Sequence, residues 1–156
     1  MIPRDASTSV RLLCDLTTLR LARWLRLLGY DTASAASTEP IDVLRAARGE
    51  DRLVLTRSRV VAGQRGLRAI LLDDQDIQAQ IAAVQEAAGP PDPDSPMRCA
   101  ACNAPLEPLE HGAAEGRVPP YVWRTQTHFA QCPACRRVYW VGSHHARIHT
   151  LSDIPR

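Results

Sequence analysis

Val10–Asp31, VRLLCDLTTLRLARWLRLLGYD, decides how the rest of the chain is read. Val10 to Cys14 is short, apolar and β-prone, so it predicts a buried strand that ends at Asp15. Thr17 or Thr18 can cap a following helix, in which Leu21, Trp24, Leu25 and Leu28 recur at the spacing of a core-facing stripe while Arg20, Arg23 and Arg26 fall on a different arc. Gly29 ends that helix. A carboxylate just past the carboxyl end of a strand, at a strand-to-helix turn, stands where open α/β sheets take their ligands, which makes Asp15 the first site candidate. Asp is also a common turn and capping residue at such a place.

Outward from this stretch the pattern repeats. Tyr30 to Ala33 reads as a short strand, and Pro40 opens a helix over Ile41 to Arg48 with Ile41, Leu44 and either Val43 or Ala47 inward. Asp42 falls in its first turn, where a carboxylate favours the helix dipole. Arg52 to Thr56, RLVLT, reads as a buried parallel strand. A helical turn over Val60 to Gln64 and a break at Gly66 lead to a strand over Arg68 to Leu72, which ends in Asp73 and Asp74. Asp74 can cap a last helix with Ile77, Ile81, Val84 and Ala88 at helical spacing. Strands alternating with helices predict a parallel sheet, with Asp15, the Thr56–Arg59 turn, Asp73 and Asp74 at one edge. Carboxylates with arginines beside them suit a divalent cation and a phosphate, and oxygen ligands favour Mg²⁺ or Mn²⁺.

Gly89 to Pro96, GPPDPDSP, cannot continue a helix. It divides an α/β domain over 1–88 from a second module over 98–150, with 89–97 as linker and 151–156 as a tail. In that module Cys99-x-x-Cys102 and Cys132-x-x-Cys135 supply four soft ligands for one tetrahedral Zn²⁺. The 29 residues between the pairs exceed the usual spacing and predict an inserted hairpin loop. Four thiolates leave no open position, so the metal is structural and folds a module too small to hold itself together. Tyr121 to Arg124, His128 to Ala130 and Val138 to Val141 are the predicted ribbon strands. Arg136, Arg137, Arg147 and His144 could contact phosphate, and His144, His145 and His149 equally suit a surface role. Tyr121, Trp123, Tyr139 and Trp140 could stack on bases or pack the ribbon core.

Composition narrows the class without fixing it. The 156 residues are 45% hydrophobic and 23% charged, and no apolar run approaches the ~20 residues that cross a bilayer. The first residues have no apolar signal core, so a cytoplasmic protein is expected. Net charge is only +2, yet all 19 basic residues are Arg, the better fork for phosphate. A GC-rich genome would write the same bias. Five cysteines in a cytoplasmic chain argue for metal over disulfides, with Cys14 left as a buried strand residue.

Leu21-Ala22-Arg23-Trp24-Leu25-Arg26-Leu27-Leu28-Gly29-Tyr30-Asp31, Leu55-Thr56-Arg57, Arg98-Cys99-x-x-Cys102-Asn103-x-x-Leu106, and Cys132-x-x-Cys135 followed by Tyr139-Trp140-x-Gly142-Ser143-His144 together resemble the Mut-seven C-terminal RNase domain family over residues 10 to 149. The resemblance implies a PIN-like three-layer α/β fold with an appended zinc ribbon, and a metal-dependent ribonuclease whose products carry a 5′-phosphate. Asp15 matches the family's first acidic position and Asp42 its second. The third acid normally follows the Thr-Arg pair, where this chain has Ser58. Loss of that charge weakens a cation site, and Asp73 or Asp74 stands near enough in the predicted topology to compensate.

Three readings follow. The leading one is a Mg²⁺- or Mn²⁺-dependent endoribonuclease using Asp15, Asp42 and Asp73 or Asp74, with Arg20, Arg23, Arg57, Arg59, Arg136 and His144 on the RNA. A second is an inactive PIN-like protein that binds RNA or a ribonucleoprotein such as the ribosome, motivated by Ser58. A third is a protein-interaction module docking through its zinc ribbon, since fold does not fix function.

Overall fold

The short apolar runs form four parallel strands in a computed structural model that describes residues 9–140. They are β1 (Leu12–Cys14), β2 (Thr32–Ser34), β3 (Leu53–Thr56) and β4 (Ala69–Leu71), in the order β2-β1-β3-β4. Leu13 pairs with Ala33 on one side and Val54 on the other, and Leu55 pairs with Ile70. Helices α1 (Leu19–Leu27), α2 (Pro40–Gly49), α3 (Arg59–Ala62) and α4 (Ile77–Ala88) join and follow them, and a 3₁₀ turn over Leu16–Thr18 links β1 to α1.

Period-two alternation divides the core between the faces. Leu12, Cys14 and Leu55 pack with Leu21, Ala22 and Leu25 of α1 and Ile81 and Val84 of α4. Leu13 and Val54 point the other way, against Val43 and Ala47 of α2 and Val61 of α3. Three layers result. Right-handed crossovers require this arrangement, because the chain steps one way from β1 to β2 and the opposite way from β2 through β3 to β4, so α1 and α2 must lie on opposite faces. Full burial of each large apolar side chain contributes about 1.5–3 kcal/mol. Burial also pushes the Cys14 thiol up to about 12, so it is a neutral packing group, as expected.

Two local expectations are overturned. Ile41 is exposed, and Val43, Leu44 and Ala47 form the inward stripe of α2. Ile41 lies in the first turn of α2, and the buried stripe starts at Val43. Asp76, not Asp74, caps α4 by accepting from the Ala79 amide at 3.0 Å, while Asp74 accepts from the Asp76 amide at 2.8 Å in the turn before it.

The second module is an antiparallel sheet of β5 (Glu107–Leu109), β6 (Phe129–Gln131) and β7 (Val138–Trp140), in that order. Between β5 and β6 run α5 (His111–Ala114) and α6 (Pro120–Thr125). Tyr121 to Arg124 is therefore helix where strand was expected. Pro119 and Pro120 fix φ for a first helical turn, which overrides the β preference of Tyr, Val and Trp. The long insertion between the cysteine pairs is thus helical, and β5 is the strand the sequence did not reveal. Trp123 and Trp140 pack on the Ala114, Val118 and Phe129 cluster, Tyr139 packs on the cysteine cluster, and Tyr121 is exposed.

Arg26 joins the two modules. Its guanidinium donates to the Thr32 carbonyl, the Ser34 hydroxyl and the Ala100 carbonyl, each at 2.8 Å. Asn103 completes the joint by donating to Asp31 Oδ1 at 2.7 Å and accepting from the Thr32 amide at 3.0 Å. The intervening segment is held too, since Tyr30 donates to the Gly89 carbonyl at 2.6 Å. Among the described residues no helix is long and apolar enough to cross a membrane.

Candidate functional site

The strand order reverses between β1 and β3, and the crevice beyond the carboxyl ends of those two strands is where a sheet of this topology opens to ligands. Asp15 follows β1 directly and is 2% exposed. Its Oδ1 accepts from the amide and hydroxyl of Thr17, and its Oδ2 accepts from the buried Thr56 hydroxyl at the end of β3. The turns after the two strands are laced further: Thr18 donates to the Leu55 carbonyl at 2.8 Å, the Arg57 amide to the Thr17 hydroxyl at 2.9 Å, and the Ser58 amide to the Thr56 hydroxyl at 2.9 Å. Thr17, Thr18 and Thr56 are therefore as much a part of this rim as Asp15. The sequence offered them only as caps and as a motif residue.

The other acidic candidates surround the same edge. Asp42, in the first turn of α2, pairs with Arg45 at 3.2 Å. Asp73, past β4, pairs with Arg59 at 3.7 Å, with both side chains mostly exposed. Asp74 is engaged in the turn before α4. Pairs so exposed contribute about 0–1 kcal/mol and leave the carboxylates free to exchange partners. Topology thus brings Asp15, Asp42, Asp73, Asp74, Arg57 and Arg59 to one edge. Among the described residues, however, the four cysteines and no set of acidic groups come together as candidate metal ligands. Ser58 caps α3 by accepting from the Val61 amide at 3.3 Å. Leu16, Leu19, Ile41 and Val60, in the first turns of the elements that follow β1, β2 and β3, are exposed. Arg20 and Arg23 lie exposed along α1. His144, His145, Arg147 and His149 lie outside the described residues.

The cysteine cluster is the most fully built site. The Sγ atoms of Cys99, Cys102, Cys132 and Cys135 all lie within 4.8 Å of one another, with Cys99 to Cys135 at 3.5 Å and Cys102 to Cys132 at 3.4 Å. A tetrahedron with Zn–S bonds of 2.3 Å has edges of roughly 3.8 Å, so the four sulfurs fit one zinc ion. Two matching knuckles hold them. Asn103 and Arg136, each just after the second cysteine of a pair, adopt left-handed φ of 68° and 66°. Their amides donate to the carbonyls of Cys99 and Cys132 at 2.9 and 3.0 Å. Asn tolerates this conformation well.

Burial opposes ionisation of Cys99, but hydrogen bonds from the Tyr139 hydroxyl and the Cys102 and Ala101 amides outweigh it and bring the thiol down to about 6. At Cys132 burial is likewise outweighed, chiefly by the Cys135 amide. These donors favour thiolate at Cys99 and Cys132, the form that binds metal, whereas at Cys102 and Cys135 the Ala104 and Arg137 amides are outweighed by burial and the neighbouring sulfurs, and both thiols move up. Tyr139, which donates to Cys99 and accepts from the Ala100 amide at 3.1 Å, was not legible as a partner of the cluster.

The joint has its own electrostatics. Asp31 loses hydration on burial, yet Arg52 and Asn103 hold its pKa below the ordinary carboxylate value. Burial lowers the Arg26 pKa, and the nearby Cys14, Cys99 and Cys102 oppose that effect.

No curated protein and no solved structure matches the chain. A family model described as the Mut7-C RNAse domain matches residues 10–152, nearly the whole length. The chain, with its parallel α/β sheet and four-cysteine module, belongs to the Mut7-C RNAse domain family.

Proposed function

We propose that this protein is a PIN-like, metal-dependent endoribonuclease weakened by Ser58, and that the rim around Asp15 is its active site. One observation carries the reading: a carboxylate 2% exposed is fixed at the strand-order reversal by hydroxyl and amide donors from two separate turns. Family membership supports RNA as the substrate. Hydrogen bonding to both oxygens aims Asp15: Oδ1 accepts two bonds from Thr17, whereas Oδ2 accepts one from Thr56 and keeps a lone pair for a further partner.

Carboxylate oxygens suit Mg²⁺ or Mn²⁺, and Mg²⁺ keeps several waters and needs only one or two protein carboxylates. Asp15 and Asp42 would hold it, with Asp73 or Asp74 as the supplement. A bound ion would supply Lewis acidity and an activated water. Arg57, Arg59 and Arg20 hold phosphate oxygens and orient the backbone of the strand. The cysteine module carries structural Zn²⁺, and the protein acts in the cytoplasm.

Purified protein incubated with single-stranded RNA and Mn²⁺ should cleave it, and Asp15→Asn should abolish cleavage. Cleavage surviving in Asp15→Asn would refute the assignment. The replacement of the family's third acid favours one other reading, an RNA- or ribosome-binding protein that does not cut. Ser58→Asp separates the two. A rise in cleavage supports a weakened nuclease, whereas unchanged RNA binding with no cleavage at any Mn²⁺ concentration supports the binding protein.

A further inference from the structure

A pocket of about 430 Å³ opens where α1 meets the cysteine module, and its walls carry Arg23, Arg117, Arg136, Arg137 and Tyr139. Four arginines thus border one opening. Among the described residues none of the four forms an ion pair with a carboxylate. Like charges gathered there repel one another, and an anion between them relieves that repulsion. Its volume falls within the range that encloses nucleotide-sized ligands. Planar guanidinium forks match phosphate oxygens pairwise.

The framework behind these arginines is rigid on both sides. Arg23 lies one turn before Arg26 on α1, and Arg26 bonds the carbonyl of Ala100, itself part of the pocket wall. The joint between the modules therefore also sets Arg23 opposite the arginines of the cysteine module. Arg117 is oriented by the Gln131 side chain at 3.2 Å and the Arg136 carbonyl at 2.7 Å. Arg136 and Arg137 immediately follow Cys135, and the Cys132 amide donates to the Arg137 carbonyl at 2.9 Å, so the knuckle that would bind zinc fixes their backbone. Arg20, one turn nearer the Asp15 rim, stands about 4.5 Å along the helix axis from Arg23.

We infer that this pocket is a phosphodiester-binding site, built jointly by α1 and the cysteine module, that grips single-stranded RNA by its backbone some distance from the Asp15 rim. Arg20 continues the basic track toward that rim. The inference rests on the RNA part of the proposed function but not on cleavage, and binding is measured without added Mg²⁺ or Mn²⁺ so that the two fail separately.

The test is fluorescence anisotropy of a labelled oligoribonucleotide of roughly ten nucleotides, a length suited to a site of this kind, titrated with the full chain across salt concentrations. Each single-strand phosphate contact adds about 0.7 to the slope of log affinity on log salt, equivalent to about five-fold in affinity at 0.1 M. Arg23→Ala/Arg137→Ala should thus weaken binding about 25-fold and lower the slope by about 1.4. Arg11→Ala/Arg65→Ala removes the same charge from the opposite edge of the sheet and should leave binding within about two-fold, since remote exposed charges are screened. All variants are checked for zinc content and melting temperature. Equal weakening by the two pairs, with folding intact, would overturn the inference in favour of a diffuse field. Competition by polyglutamate as effective as by unlabelled RNA at equal charge would overturn it in favour of an acidic protein partner.

Discussion

Arg26→Ala should be the most damaging single change away from the main core. The side chain is 7% exposed, and its three 2.8 Å bonds end on Thr32, Ser34 and Ala100, so one group bonds the β2 edge and also the first cysteine knuckle. A hydrogen bond from a charged donor contributes about 1.5–3 kcal/mol, and losing the donor leaves buried acceptors unpaired. The three are not additive because they share one side chain, so the loss is set at about 4 kcal/mol, roughly one such bond plus the unpaired acceptors. Total stability is about 5–15 kcal/mol. For a chain of this size 1 kcal/mol moves the melting temperature by about 2–4 °C, giving a fall of about 8–16 °C. Differential scanning calorimetry at fixed free zinc reads it, because metal binding adds to apparent stability. Arg26→Met keeps the aliphatic stem and lacks the donors, so it should lose nearly as much. If both variants melt within about 3 °C of wild type with zinc retained, the guanidinium is not the joint between the modules.

Three further outcomes are expected. Asp31 has a folded pKa below its unfolded value, so its stabilisation is present above the unfolded value near ~3.9 and is lost as pH falls through the folded one. The stability gap between wild type and Asp31→Asn, read by urea unfolding, should therefore shrink on acidification below about pH 4, and a gap that widens would contradict the pairing with Arg52. Asn103→Gly keeps the left-handed turn while deleting the bonds to Asp31 and the Thr32 amide. It should cost about 1–2 kcal/mol in thermal melts at unchanged zinc stoichiometry, whereas loss of zinc would mean that the side chain serves the knuckle instead. Chelation of zinc should abolish the amide-exchange protection of β6 and β7 before that of β1 and β3, because the small clusters beneath the ribbon cannot hold it alone. Simultaneous loss in both sheets would show that the modules unfold as one unit.

The parallel sheet was legible because β1 and β3 are short apolar runs that end at Asp15 and Thr56, and the cysteine cluster because two Cys-x-x-Cys pairs can converge on one metal whatever lies between them. Periodicity also separated Arg26 from the core stripe of α1, but it records only the arc a residue occupies. What faces that arc is Ala100, 74 residues away, and no local pattern carries that information. The same limit hid Tyr139 beneath Cys99 and Thr56 beneath Asp15, contacts across 40 and 41 residues. For α6 the signal was present and outweighed: Tyr121, Val122 and Trp123 favour a strand, while the proline pair before them presets a helical turn. Ile41 shows a related limit, since helical spacing gives the direction of a side chain but not whether the sheet extends far enough to cover it.

Ser58 shows why folding and chemistry separate at this rim. Its hydroxyl caps α3 and its amide donates to the Thr56 hydroxyl, which in turn donates to Asp15. Asp caps a helix as well as Ser does, so the local backbone does not discriminate between them. What differs is one negative charge, two hydrogen bonds away from a carboxylate that is already buried. A second carboxylate there would add a like charge beside the first, which a bound cation would offset. With Ser the rim carries a single buried carboxylate, which accepts from the Thr17 amide and hydroxyl and from the Thr56 hydroxyl. On the proposed reading, position 58 therefore acts on cation affinity and not on folding.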